Sequence, residues 1–136
     1  MLALLSKLYA ADCLTHLDTE GCRDFYDILR SAWERSVEEL LFNNVVQRLE
    51  PEVATQSLRG VSVDEEAIEA VFDGMTRSST MIDAHDPAMA IGKALANSAD
   101  LQKDLQDLRN FTIEQKRKSS ELEKKLGYLK KSKAGK

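Results

Sequence analysis

Arg30, Glu34 and His85 are the side chains whose types together match one reaction, cleavage of an RNA phosphodiester. That chemistry needs a group to take the 2′-hydroxyl proton, one to protonate the leaving oxygen, and a cation for the charge added on phosphorus. Histidine can act as base or acid near neutral pH. Arginine is always charged and offers a fork matched to phosphate oxygens, and Glu34 could orient either partner. Arg30 and Glu34 stand four residues apart, so on a helix they share a side, where they could equally form an ordinary intrahelical pair. His85 could equally do no more than pin a loop. His16, between Leu14 and Leu17, reads as structural.

Other chemistries have little to stand on. The sequence has no phosphate loop, no Gly-x-Gly-x-x-Gly, no His-Glu-x-x-His and no Gly-x-Ser-x-Gly, so neither a bound nucleotide nor another cofactor is expected. Asp83, His85 and Asp86 carry metal-ligand atoms, but three neighbours on a loop rarely converge without a distant partner, and no metal site is expected. Cys13 and Cys22 lack paired spacing and read as reduced thiols of a cytoplasmic protein. The opening residues lack the basic leader of a secretory signal, and no apolar run approaches the ~20 residues that span a bilayer.

The net charge of −4 conceals an asymmetry, with residues 1–100 at −10 and residues 101–136 at +6. A basic tail on an acidic body can touch nucleic acid or can simply be a solvated, self-attracting helix. For the first reading, Arg35, Arg48, Lys116, Arg117 and Lys118 are the candidate contacts to a nucleic-acid backbone. No aromatic platform is interleaved with the tail lysines, which favours the second.

The elements that must position these residues are helical. Phe25, Leu29, Trp33, Val37, Leu40 and Leu41 recur at three- and four-residue steps, which predicts one long helix over about 20–48, limited by Pro51. Leu2, Leu5, Leu8, Leu14 and Leu17 predict an earlier helix over 2–17, joined briefly enough to form an antiparallel hairpin. Residues 53–63 lack a helical stripe and read as a loop or one short strand. Ser62 and Glu65 have capping-box spacing, ahead of a third helix carrying Ile68, Val71, Phe72 and Met75. Asp86-Pro87 predicts a short helix start. From Ala99 the spacing of Leu101, Leu105, Leu108, Leu122, Leu126 and Leu129 is heptad-like, and the chain should fray after Lys130.

Leu29-Arg30-x-x-Trp33-Glu34-x-x-Val37-Glu38-Glu39, then Val45-Val46-Gln47-Arg48, Val53-x-Thr55-x-x-Leu58, Gly74-Met75-x-x-Ser78 and His85-Asp86-x-Ala88, resembles the C-terminal region of bacterial ABC/SMC-RecF-like ATPases, akin to the anticodon nucleases. The resemblance spans about residues 22–110. It implies a partner module to an ATP-binding head domain or subunit, in a phage-defence or DNA-repair setting, with an RNase centre of Arg, Glu and His. Arg30-x-x-x-Glu34 fits its Arg-x-x-x-Glu spacing, as does Arg35-x-x-x-Glu39, whereas His85 lies farther along than that pattern suggests. ATPase activity does not transfer, and an excised domain or a split gene product is the expectation.

The sequence therefore predicts an all-α helical bundle with an N-terminal helix hairpin, dividing into a helical domain over 1–98 and a coiled-coil-like C-terminal helix over 99–136. The expected role is ATPase-associated assembly with possible contact to RNA or DNA, as a homo-oligomer away from membranes. RNA cleavage is its sharper version. A purely structural dimerisation or protein-interaction domain is the alternative.

Overall fold

A computed structural model describes residues 19–84 and 98–129 of the chain. Helix α1 spans Thr19–Ser36, α2 spans Glu65–Ala84 and α3 spans Ser98–Lys125, with a π-helical turn at Val37–Leu41 and a 3-10 helix at Thr55–Gly60. The protein is all-α, and the described residues contain no strand. Within the segment 53–63, Thr55–Gly60 thus forms a 3-10 helix in place of a strand or plain loop. The hairpin partner over 2–17, the helix after Asp86-Pro87 and the chain from Lys130 lie outside the described residues.

The α1 stripe behaves as its spacing demands. Phe25, Leu29, Trp33, Leu40 and Leu41 are buried, and Val37 packs partly exposed against them. The helix is shorter than the pattern suggests, because Ser36 intervenes. Its buried hydroxyl donates to the Trp33 carbonyl at 2.5 Å, a back-bond that bends helices. The next turn widens, with the Phe42 N–H reaching Val37 O at 3.0 Å, five residues back. Asn43 and Asn44 then adopt φ of 47° and 57°, a left-handed conformation that Asn tolerates better than most residues. Glu38 holds the loop that follows, accepting from the Arg48 N–H and from Arg48 Nε, each at 2.8 Å.

Helix α2 turns inward only part of its large apolar stripe: Val71 and Met75 pack partly buried against the core, but Ile68 and Phe72 do not. Ala67, Ser78 and Met81 are buried, whereas Ile68 is substantially exposed and Phe72 is 70% exposed. Trp33 imposes this choice. Its indole lies against Gly74 so closely that a Cβ there would sit 2.1 Å from Trp33 Cε2. The small-residue face can admit the ring; the Phe72 face cannot.

The cap of α2 also differs from the Ser62–Glu65 box. Asp64 accepts from the Ala67 N–H at 2.8 Å, and the Ser62 carbonyl is instead taken by Gln115 Nε2 of α3. Lys118 Nζ reaches Asp64 Oδ2 at 2.7 Å. That lysine and the Ala67 N–H hold the Asp64 carboxyl below its ordinary pKa. A depressed folded-state pKa stabilises at pH above the unfolded carboxylate value, about 3.9, and the contribution fades as pH falls through the folded value. Asp64→Ala should cost about 1 kcal/mol in denaturant unfolding at neutral pH, with the gap between variant and wild type closing in acid.

Helix α3 joins the same core as residues 19–84. Leu101, Leu105 and Leu108 are buried, and Phe111 meets Trp33 with ring centroids 5.2 Å apart. The first three leucines of the heptad pattern therefore face the chain's own core rather than a coiled-coil partner. Farther on, α3 lies against the 3-10 helix, where buried Gly60 leaves no room for a Cβ beside Asn43, Ser119 and Glu123.

Candidate functional site

Packing in the bundle is uneven. Helix α1 meets α2 extensively, whereas α2 and α3 touch sparingly. Between these two runs a groove of about 770 Å³. Leu29 and Trp33 of α1 form its floor, with Ala67 and Ala70 from α2 and Phe111 from α3. The floor is apolar because α1 presents its buried stripe there while the α2 residues opposite are too small to fill the gap.

The rims are charged and predominantly acidic. Glu66, Asp73, Asp100, Asp104, Asp107 and Glu114 line the groove, against Arg77, Lys103 and Lys118. All three cations are engaged: Lys103 with Asp107 at 3.0 Å, Arg77 with Asp104 at 3.0 Å, Lys118 with Asp64 at 2.7 Å. Asp73 makes no ion pair among the described residues. The groove is thus a hydrophobic slot under surplus negative charge. Ser78, fully buried, adds a hydroxyl that has no hydrogen-bond partner among the described residues.

Asp104 and Arg77 of the lining belong to a polar cluster with Tyr26. The Tyr26 hydroxyl donates to Asp104, whose side chain is 4% exposed, and Arg77 Nε donates to the same oxygen. Burial raises the Tyr26 phenol above its usual range, and the Asp104 carboxylate raises it further. Burial pulls the Arg77 guanidinium down, but the Asp104 hydrogen bond and charge more than reverse this. Sequence spacing missed this trio, although a signal was present. Asp104 falls among Leu101, Leu105 and Leu108 on the apolar side of its helix, and a carboxylate placed there requires a buried partner.

The sequence-derived candidates lie elsewhere. Arg30 and Glu34 ride on one unbroken helix, as expected, but both are exposed and neither makes an ion pair among the described residues. Each sits one residue past a floor residue, roughly 100° around the helix from the groove. His85 lies outside the described residues. Of the proposed nucleic-acid contacts, Arg35 pairs with Glu39 at 3.0 Å and Arg48 with Glu38 at 2.8 Å. Arg117 is held by Glu114 and Glu121, which raise its pKa. Lys118 pairs with Asp64 and Glu66. Lys116 is exposed and makes no ion pair among the described residues. No three metal-ligating side chains converge among the described residues, and none of their helices is long and apolar enough to cross a membrane.

Fold and site together define an all-α bundle with an open, acid-rimmed apolar groove. No family model, curated protein or solved structure matches this chain.

Proposed function

We propose that the chain is a helical interaction module that receives a cationic amphipathic helix of a partner protein in the groove between α2 and α3. The groove itself carries this reading: an apolar floor around Trp33 beneath rims with more carboxylates than cations. Helix-in-groove recognition uses apolar side chains at i, i+3, i+4 and i+7 as anchors, with polar flanks setting partner choice. Here the flanks favour Lys or Arg on the incoming helix. The sequence resemblance makes an ATP-binding head the partner class to examine first. Contact with RNA or DNA gains less support, since four of the five candidate cations are already neutralised by carboxylates of the chain. An RNase role for Arg30, Glu34 and His85 gains none from the first two, which are exposed and make no ion pair among the described residues.

Trp33 makes the test direct, because the only tryptophan lies in the groove floor. A synthetic Leu/Lys amphipathic peptide should change Trp33 emission saturably, and a Leu/Glu peptide of equal length should not. Ala70→Arg, which places bulk and positive charge in the slot, should abolish the change while the helical circular dichroism persists. Equal binding of both peptides, or no response to either, would sink the proposal.

A further inference from the structure

We infer that the occupant of the groove is the basic C-terminal segment of a second copy of this chain, so that copies associate head to tail; this rests on the groove being a docking site. The chain supplies the complement of its own slot. From Lys124 to Lys136 the sequence holds six lysines and no acidic residue. The same segment presents apolar side chains for the floor, with Tyr128 72% exposed, Leu129 47% exposed and Leu126 half-buried. Lys124 and Lys125 make no ion pair among the described residues. An anchor of Leu126 and Leu129 flanked by lysines is the chemistry that an apolar floor beneath Asp73, Asp107 and Glu114 would select.

The anchor residues 126–129 do not reach the groove of their own chain. Arg59 donates to the Leu129 carbonyl at 2.9 Å and the Leu129 N–H closes a turn on Leu126 O at 2.9 Å. These bonds hold residues 126–129 against the 3-10 helix. The groove ends near Lys118, roughly 16 Å short of Leu129 at helical rise. A neighbouring copy has no such restraint. The contact joins two different patches, so it is heterologous and generates a ring or an open chain rather than a two-fold dimer.

Sedimentation of the full chain tests this. At low salt the mass should rise above the 15.3 kDa monomer as concentration increases, and return to it in about 1 M salt, where charges are screened beyond about 3 Å. Asp73→Lys should weaken association about tenfold, as should Lys124→Glu with Lys125→Glu. Both sites are exposed, so the fold should persist by circular dichroism. An equimolar mixture of these two variants should recover association, because the unaltered tail of one meets the unaltered groove of the other.

A chain that stays monomeric at low salt overturns the inference, and if the Leu/Lys peptide still binds, the docking reading survives it. Association that survives both variants and is removed by Leu49→Asp places the contact on the apolar loop at 42–53, which also overturns it.

Discussion

Gly74→Ala should destabilise the protein by about 2–3 kcal/mol, against the gain of up to about 1 kcal/mol that the same change gives in an exposed helix interior. The sign reverses because of Trp33. An added methyl at Gly74 would lie 2.1 Å from Cε2 and 2.5 Å from Cδ2 and Nε1 of the indole, far inside van der Waals contact. Phe111 sits tilted against the ring with centroids 5.2 Å apart, so the indole can yield only by shifting out of its packing toward the groove that it floors. Either α2 moves off α1 or the indole leaves its rotamer, and each opens the core. For a chain of this size the loss corresponds to a fall in melting temperature of roughly 8–12 °C. Trp33→Leu alone should also destabilise, by removing buried area. Combined with Gly74→Ala it should cost less than the two separately, because the smaller side chain relieves the clash. A melting temperature that rises in Gly74→Ala would refute the close approach.

Asp104→Ala should cost about 3 kcal/mol, read by chemical denaturation at neutral pH. It removes a hydrogen bond from the fully buried Tyr26 hydroxyl to a carboxylate, and a hydrogen bond to a charged group contributes about 1.5–3 kcal/mol. It also removes the carboxylate facing Arg77, though the guanidinium is partly solvated and can lean toward Asp100, now 3.9 Å away. Tyr26→Phe should cost less, because Asp104 keeps Arg77. The same pair predicts alkaline behaviour. A phenol whose folded pKa is raised contributes fully below the unfolded value, about 10, and the contribution is lost as pH climbs toward the folded value. Wild-type stability should therefore fall above about pH 10 more steeply than that of Tyr26→Phe. Parallel curves for the two proteins would show that the fold does not raise the Tyr26 phenol.

The sequence by itself determined that the chain is helical and that the large apolar stripe running from α1 into the π-helical turn lies inside, though not that Tyr26 and Ala32 are buried beside it. Phe25, Leu29, Trp33, Leu40 and Leu41 obey a 3.6-residue period, and burial of an apolar stripe is the same local rule wherever the helix packs. It also indicated Leu101, Leu105 and Leu108 as one face of α3, but not that the chain's own core would occupy it. Three outcomes needed the tertiary structure. The face of α2 was adjusted by shape: Gly74 admits the Trp33 indole, and Ile68 and Phe72 of the apolar stripe are left exposed while Val71 and Met75 still pack on the core. The end of α1 was decided by one serine hydroxyl turning back on Trp33 O. The acidic groove exists because α2 and α3 diverge over α1, bringing Asp73 and Asp107, 34 positions apart in the chain, onto facing rims. Spacing along one helix reports what shares a side of that helix; charges on two helices combine into one field only once packing has set the distance between them.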